Sequence, residues 1–238
     1  MKRFLKPLDY FFVLRPTLFF PVWTVFLAGF FVQSKYGVSA PTGSVSTNGS
    51  VVGNDLDFVW VGLFLTCLMG ASFVLNQIMD RHTDGQNRKL FLIADGHLTP
   101  RAAFIESIAL SAVALVFGFI FSITIGVLFV AIFALTGWLY SFEPFKLKDR
   151  PILGLVANGL GAFLIFVGGW IVHGNLTVES ITYSVPYVCA VAAVYLLTTL
   201  PDMEGDASTK KMTFGVKFGF TATIYAALFF ELIAVISS

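Results

Sequence analysis

The sequence predicts an all-α protein, a polytopic bundle of about seven transmembrane helices. Three observations predict it. The 238 residues are 57% hydrophobic and only 12% charged, with a mean hydropathy of +0.84, whereas a soluble domain carries about 25% charged residues. Apolar runs near the length that crosses a bilayer, about 20 residues, fall at roughly 13–32, 57–79, 103–123, 125–141, 152–172, 181–200 and 214–236. If these runs alternate in direction, 14 of the 15 Lys and Arg residues fall on one side, and the other side holds only Lys35.

The elements follow in order. Lys2, Arg3 and Lys6 precede the first run, but Asp9 and Arg15 interrupt it and no small-residue cleavage site follows. The run therefore reads as a retained helix and not a signal peptide. Residues 34–54, rich in Gly, Ser and Thr and holding the sequon Asn48-Gly49-Ser50, read as a flexible loop. The third and fourth runs share a tight turn near Ser122 to Gly126, and the fourth is short. Basic residues close the even-numbered runs: Arg81, Arg88, Lys89 and Arg101 after the second, Lys146, Lys148 and Arg150 after the fourth, Lys210, Lys211 and Lys217 after the sixth. This asymmetry places the N-terminus and all three basic loops in the cytoplasm. The 27 Phe residues supply a lipid-facing surface. A net charge of +1 with no concentrated basic face excludes nucleic acid as a partner. Cys67 and Cys189 lie inside apolar runs and read as small apolar side chains. His82, His97 and His173 are too scattered for a histidine zinc site. Glu106 and Glu231 lie within or near apolar runs without a visible partner.

The chemistry concentrates where the second and sixth runs end. Asn76, Asp80 and Asp84 are spaced i, i+4, i+8, which puts all three on one face of a helix. Asp202 and Asp206 follow Asp80 and Asp84 at a constant offset of 122 residues; the same offset relates Lys210 and Lys211 to Arg88 and Lys89, and Thr198 to Asn76. Two solvated helix ends would explain either copy alone and explain the repeated spacing poorly. The chain therefore reads as one domain over 1–238 with an internal repeat, one motif at 76–89 and the other at 198–211. A site shared between repeated halves is a known membrane architecture. Pro201 breaks the second copy, so Asp202 and Asp206 are expected on a short helix outside the bilayer.

Clustered hard oxygen donors suit Mg²⁺, which is typically held by one or two carboxylates together with substrate phosphates. Four aspartates, two Mg²⁺ and a diphosphate ester of about −3 leave a negative remainder, for which Arg88, Lys89, Lys146, Lys148, Lys210 and Lys211 are the supply. An apolar cavity between the helices would hold a hydrocarbon tail and keep water from a carbocation-like centre. By charge alone, replacing Asp80 or Asp202 by Asn should leave folding intact or improve it, and Asn76→Ala should be mild.

The Asn76–Asp80–Asp84 motif, the Asp202-Met203-Glu204-Gly205-Asp206 motif and the loop from Tyr140 through Pro144 to Lys146, Leu147 and Lys148 resemble the UbiA family of intramembrane prenyltransferases. The resemblance runs from Leu14-Arg15-Pro16 to the last apolar run. It implies a helical bundle around a central cavity and Mg²⁺-dependent transfer of a prenyl group from an isoprenyl diphosphate to an aromatic or other lipophilic acceptor in the membrane. It implies that Asp80, Asp84, Asp202 and Asp206 are the catalytic, metal-binding carboxylates, with Asn76 beside them. Asn76, Arg88, Lys89, Tyr140, Lys146, Lys148, Lys210 and Lys211 would bind the diphosphate. The chain departs from the family in three ways. It shows seven spans where nine are usual, so the last two spans are expected to be missing from it. Arg88-Lys89-Leu90-Phe91 replaces an Arg-Pro pair common after the first motif. Pro144 stands four residues after Tyr140, where a lysine is frequent. Two other classes stand against this reading: a transporter or channel, which should place polar groups near mid-span, and a non-catalytic membrane scaffold.

Overall fold

The protein is described here by a computed structural model covering residues 6–36, 56–86 and 92–238. The 34–54 loop falls mostly outside the described residues, as do Arg88 and Lys89. Among the described residues there are helices and no strands. The elements are α1 (Lys6–Phe12), α2 (Phe19–Tyr36), α3 (Asp57–Gln86), α4 (Pro100–Phe121), α5 (Ile123–Phe133), α6 (Pro151–Trp170), α7 (Val178–Thr198), α8 (Met203–Ser208) and α9 (Phe214–Ile236). A π-helical segment, Ala134–Leu139, continues α5.

Among the described residues six helical stretches are long and apolar enough to cross a membrane: Pro7–Tyr36, Asp57–Asp84, Pro100–Phe121, Pro151–Trp170, Val178–Thr198 and Phe214–Ile236. The expected seventh, Ile123–Leu139, is apolar but shorter. The cause is local. Ser122 leaves helical geometry at φ −163°, ends α4, and then caps α5 by accepting a hydrogen bond from the Ile125 N–H at 3.1 Å. A capping serine at the tip of a two-helix turn satisfies an otherwise orphaned donor and uses up residues that a longer span would need. The apolar helices carry a broad exposed apolar surface; Ile120 is 78% exposed and Phe20 65%. In water such a surface would be a large unpartnered patch. Around a bundle of this length it is the lipid-facing girdle of an integral, multi-pass membrane protein.

Phe26 and Phe30 of α2, Val61 and Leu65 of α3, Ile125 and Phe129 of α5, and Phe166 and Trp170 of α6 belong to the largest buried cluster. Most of these come from the halves of their helices remote from the acid motifs, and smaller buried clusters around Val13, Val74 and Leu98 and around Leu196 and Phe214 flank the motif end. Two glycines allow this packing. A Cβ on Gly29 would overlap the Phe166 carbonyl oxygen, and one on Gly169 would overlap the Phe26 carbonyl oxygen, so the α2 and α6 backbones touch directly. The same far end holds His173 and Asp57, 3.7 Å apart. The helices are plugged there, and the space between them opens at the other end, where both motifs lie.

Candidate active site

A cavity of about 700 Å³ opens between α2, α3, α6 and α7 at the motif end. Asn76, Asp80 and Asp84 line it together from the last turns of α3. Asp202 and Asp206 line it from the other side. The second copy is built differently. α7 ends at Thr198, Leu200 and Pro201 form a turn, and Asp202 is the N-cap residue of the short α8 that carries Asp206. The proline expectation thus holds: the chain restarts there, and one helical face becomes two short pieces.

Lys148 and Lys211 join the copies. Lys148 donates from Nζ to Asn76 Oδ1 at 2.8 Å and stands 2.9 Å from Asp80 Oδ1. Lys211 Nζ lies 2.7 Å from the same Asp80 oxygen and 4.0 Å from Asp206 Oδ1. Both approaches are at charge-assisted hydrogen-bond distance, so one buried carboxylate oxygen is shared by two ammonium groups. The two ammonium groups respond oppositely. Burial, and then the neighbouring Lys211 charge, hold Lys148 below the usual lysine range despite Asp80. Lys211 is also penalised by burial, but Asp80 and Asp206 outweigh that and hold it above the usual range.

The structure separates the other predicted residues. Lys146 adopts φ 39° and turns to its own loop, with Nζ 2.8 Å from Asp149 and 3.7 Å from Glu143. It does not line the cavity. Lys210 is exposed at φ 61° and also stands off it. One residue along the chain decides each pair, because the 3₁₀ turn Leu147–Asp149 turns Lys148 inward and the Lys211 N–H closes onto the Asp206 carbonyl at 2.9 Å. Tyr140 lines the cavity and accepts a hydrogen bond from Asn158 Nδ2 at 3.2 Å. Burial, then Asp80, Asp149 and Asp206, push its phenol up to about 12 although the Asn158 bond opposes this, so it is neutral.

Sequence reasoning placed Arg15 among the orienting charges and at the start of the resemblance, but gave it no role in the site. It lines the cavity mouth at φ 56°, just before Pro16, within electrostatic reach of Asp84, Asp80 and Asp202. The readable signal was the Arg-Pro step itself, which forces a break where the first apolar run begins. Asn158 and Tyr195, also on the cavity wall, carried no such signal.

Five carboxylates, the four motif aspartates and Asp149, face three lining cations, Arg15, Lys148 and Lys211. The mouth is therefore two charges negative, with hard oxygen donors on both sides. That donor set fits a divalent cation such as Mg²⁺. Among the described residues no three His, Cys, Asp or Glu side chains form a ready cage. A Mg²⁺ ion that takes one or two carboxylates and completes its shell with phosphate oxygens needs no such cage. Below the mouth the walls turn apolar, with Val22, Val25, Met69, Leu135, Ile165 and Val191.

A membrane bundle with paired acid motifs above an apolar cavity belongs to a small class of folds. The family model for the UbiA prenyltransferase family matches residues 22–237, and the chain belongs to that family. A structure of a UbiA homolog from Archaeoglobus fulgidus, described as bound to DMAPP and Mg²⁺, superposes with a TM-score of 0.74 at 22% identity, covering 96% of this chain and 76% of that one. Digeranylgeranylglyceryl phosphate synthase of Natronomonas pharaonis is 29% identical over 172 residues, 71% of this chain and 60% of its own length. Homogentisate phytyltransferase of a Synechocystis strain is 28% identical over 179 residues, 69% of this chain and 56% of its own. The chain thus spans under two thirds of the length of either relative.

Proposed function

We propose that this protein transfers a prenyl group from an isoprenyl diphosphate to a lipophilic acceptor within the membrane, in a Mg²⁺-dependent reaction. The observation that carries this reading is the meeting of both acid motifs, Lys148 and Lys211 at the mouth of one apolar cavity. The relatives' names and the diphosphate and Mg²⁺ of the Archaeoglobus fulgidus structure point the same way.

Asp80, Asp84, Asp202 and Asp206 would hold the metal, with Asn76 at its edge. Bound Mg²⁺ supplies stabilisation of the charge that develops on the departing diphosphate. The chain's own cations do the rest. Lys148 and Lys211 both stand on Asp80, and would be released to diphosphate oxygens when a metal neutralises this carboxylate. Arg15 faces the same mouth, and Arg88 and Lys89 complete the basic set by their place after Asp84. The apolar walls seat the hydrocarbon and exclude water from the electron-poor carbon.

Membranes containing the protein, incubated with labelled geranylgeranyl or farnesyl diphosphate, should yield a prenylated lipid identifiable by mass spectrometry. The product should vanish on chelation of Mg²⁺. Absence of any labelled product with either donor overturns the reading. We further infer that the mouth faces the cytoplasm, from the distribution of Lys and Arg. Cysteines introduced at Ser46 and Ser208 should then label from opposite sides of the membrane; labelling from one side overturns the orientation.

A further inference from the structure

Beside the charged mouth, the cavity wall carries a polar group of a different kind. Asn158 of α6 spends both amide protons: Nδ2 donates to the Gly154 carbonyl at 2.9 Å and to the Tyr140 oxygen at 3.2 Å. That fixes the side chain and leaves Oδ1 as an acceptor. Tyr140, having accepted one bond, keeps its own proton to donate. Tyr195 reaches across from α7, and its hydroxyl occupies the space a side chain at Gly154 would fill. Among the described residues neither Asn158 Oδ1 nor the Tyr195 hydroxyl has a hydrogen-bond partner, and both residues line the cavity. Two phenolic donors and one carboxamide acceptor thus gather in one place, none of them charged. Such groups are costly to leave unpaired in an apolar cavity. The metal and diphosphate reading uses neither Asn158 nor Tyr195, and Tyr140, expected from the resemblance at the diphosphate, is bonded to Asn158.

We propose that Tyr140, Asn158 and Tyr195 form a separate subsite that receives the head group of the prenyl acceptor, and that this head is an uncharged hydroxyl compound, an alcohol or a phenol. The proposal rests on the prenyl-transfer reading above. A hydroxyl matches the subsite because it can donate to Asn158 Oδ1 and accept from Tyr195. An anionic head does not. The charges acting on Tyr140 are the carboxylates Asp80, Asp149 and Asp206, while all three lining cations face the motif aspartates, Arg15 towards Asp84, Asp80 and Asp202 and Lys148 and Lys211 at Asp80, where a bound diphosphate would take them. The subsite also shares one cavity with both motifs, so an acceptor head held there and a diphosphate held at the motifs occupy the same space between the helices. Tyr140 accordingly belongs to the acceptor side of the site.

The test is equilibrium binding to the full chain in lipid nanodiscs, with Mg²⁺ and the unreactive donor analogue geranylgeranyl thiolodiphosphate. Three acceptor probes are compared: a geranylgeranylglycerol ether, its phosphate ester, and a hydroquinone. The glycerol ether or the hydroquinone should bind at least tenfold more tightly than the phosphate ester, and which of the two binds separates an alcohol from a phenol acceptor. Tyr195→Phe and Asn158→Ala should each weaken the preferred probe by about tenfold, the worth of one hydrogen bond. Thiolodiphosphate affinity should stay within about twofold, which a general structural defect would not allow. Tyr195→Phe removes a single oxygen and keeps the test open if Asn158→Ala fails to fold. Tighter binding of the phosphate ester, or unchanged probe binding in both variants, overturns the proposal. Failure of the wild-type chain to bind the thiolodiphosphate overturns prenyl transfer itself, and the acceptor subsite with it.

Discussion

The two acid motifs carry the same aspartate pair at the same spacing on unlike backbones. Asn76, Asp80 and Asp84 ride on one uninterrupted helix of 30 residues. Asp202 and Asp206 sit beyond a proline turn, on a helix of six residues. Asp80 is 8% exposed and shared by two lysines, whereas Asp202 is partly exposed at a helix start. The first copy is a continuous wall and the second a short flap restarted after the proline, with Lys211 between Asp80 and Asp206. An i, i+4 pair of acids therefore specifies which groups meet but not how firmly they are held.

The largest effect should come from breaking the wall. Asp80→Asn should lower turnover by about 10²- to 10³-fold, as expected for loss of a group that stabilises developing charge. It should also destabilise the metal-free protein by about 3–5 kcal/mol, because Lys148 is left buried without its carboxylate. This reverses the expectation from charge repulsion alone that Asp→Asn is harmless to folding: Asp80 is crowded by two lysines and not by another acid. Asp202→Asn should lose turnover comparably with little change in melting temperature. Thermal unfolding without Mg²⁺ beside turnover with it separates the two, and equal destabilisation would erase the distinction between wall and flap.

The lysines sharpen the comparison next. Lys148→Gln and Lys211→Gln should each weaken binding of an isoprenyl diphosphate by about ten- to a hundredfold, the range for a charge-assisted hydrogen bond. Lys146→Gln and Lys210→Gln should stay within about twofold, since one is absorbed by Asp149 and Glu143 and the other is exposed. Titration with a radiolabelled diphosphate reads all four. Comparable losses at Lys146 and Lys148 would mean that the loop turns in solution.

The smallest effect concerns the residues that head each motif. Asn76 holds Lys148, whereas the Thr198 hydroxyl donates back to the Tyr195 carbonyl at 2.7 Å. Asn76→Ala should cost about tenfold in diphosphate affinity, and Thr198→Val less than about threefold. Equal effects would restore the equivalence that their spacing suggests.

These cases show what a sequence can carry. Hydropathy located the apolar helices, most of them within about three residues, because apolar length is imposed by the bilayer and needs no knowledge of partners; it missed the motif-end extension of α3 and overcounted the short α5 as a span. The i, i+4 spacing placed Asn76, Asp80 and Asp84 on one cavity wall, because helical periodicity is local. Pro201 announced the break in the second copy for the same reason. The choice of Lys148 over Lys146 was not local. It depends on a left-handed backbone at Lys146, a conformation that a lysine code does not disclose. Asn158 and Tyr195 were silent because an asparagine or tyrosine inside an apolar run looks the same whether it faces lipid or cavity. Only the contact of α6 with α7, and a glycine at 154, settles which.

The π-helical segment Ala134–Leu139 holds a further consequence. A π turn accommodates one residue more than an α turn, seen where the Tyr140 N–H reaches back five positions to the Leu135 carbonyl. Each residue of an α-helix rotates the side chain by about 100°. The extra residue therefore keeps Tyr140 in the register that an α-helix one residue shorter would give it. Were the segment to wind as α-helix at its full length, Tyr140 would swing by roughly a quarter turn, its phenol would leave Asn158, and the loop bearing Lys148 would rotate with it. The π turn is thus a register device that lets a helix with one residue too many present both halves of the pocket.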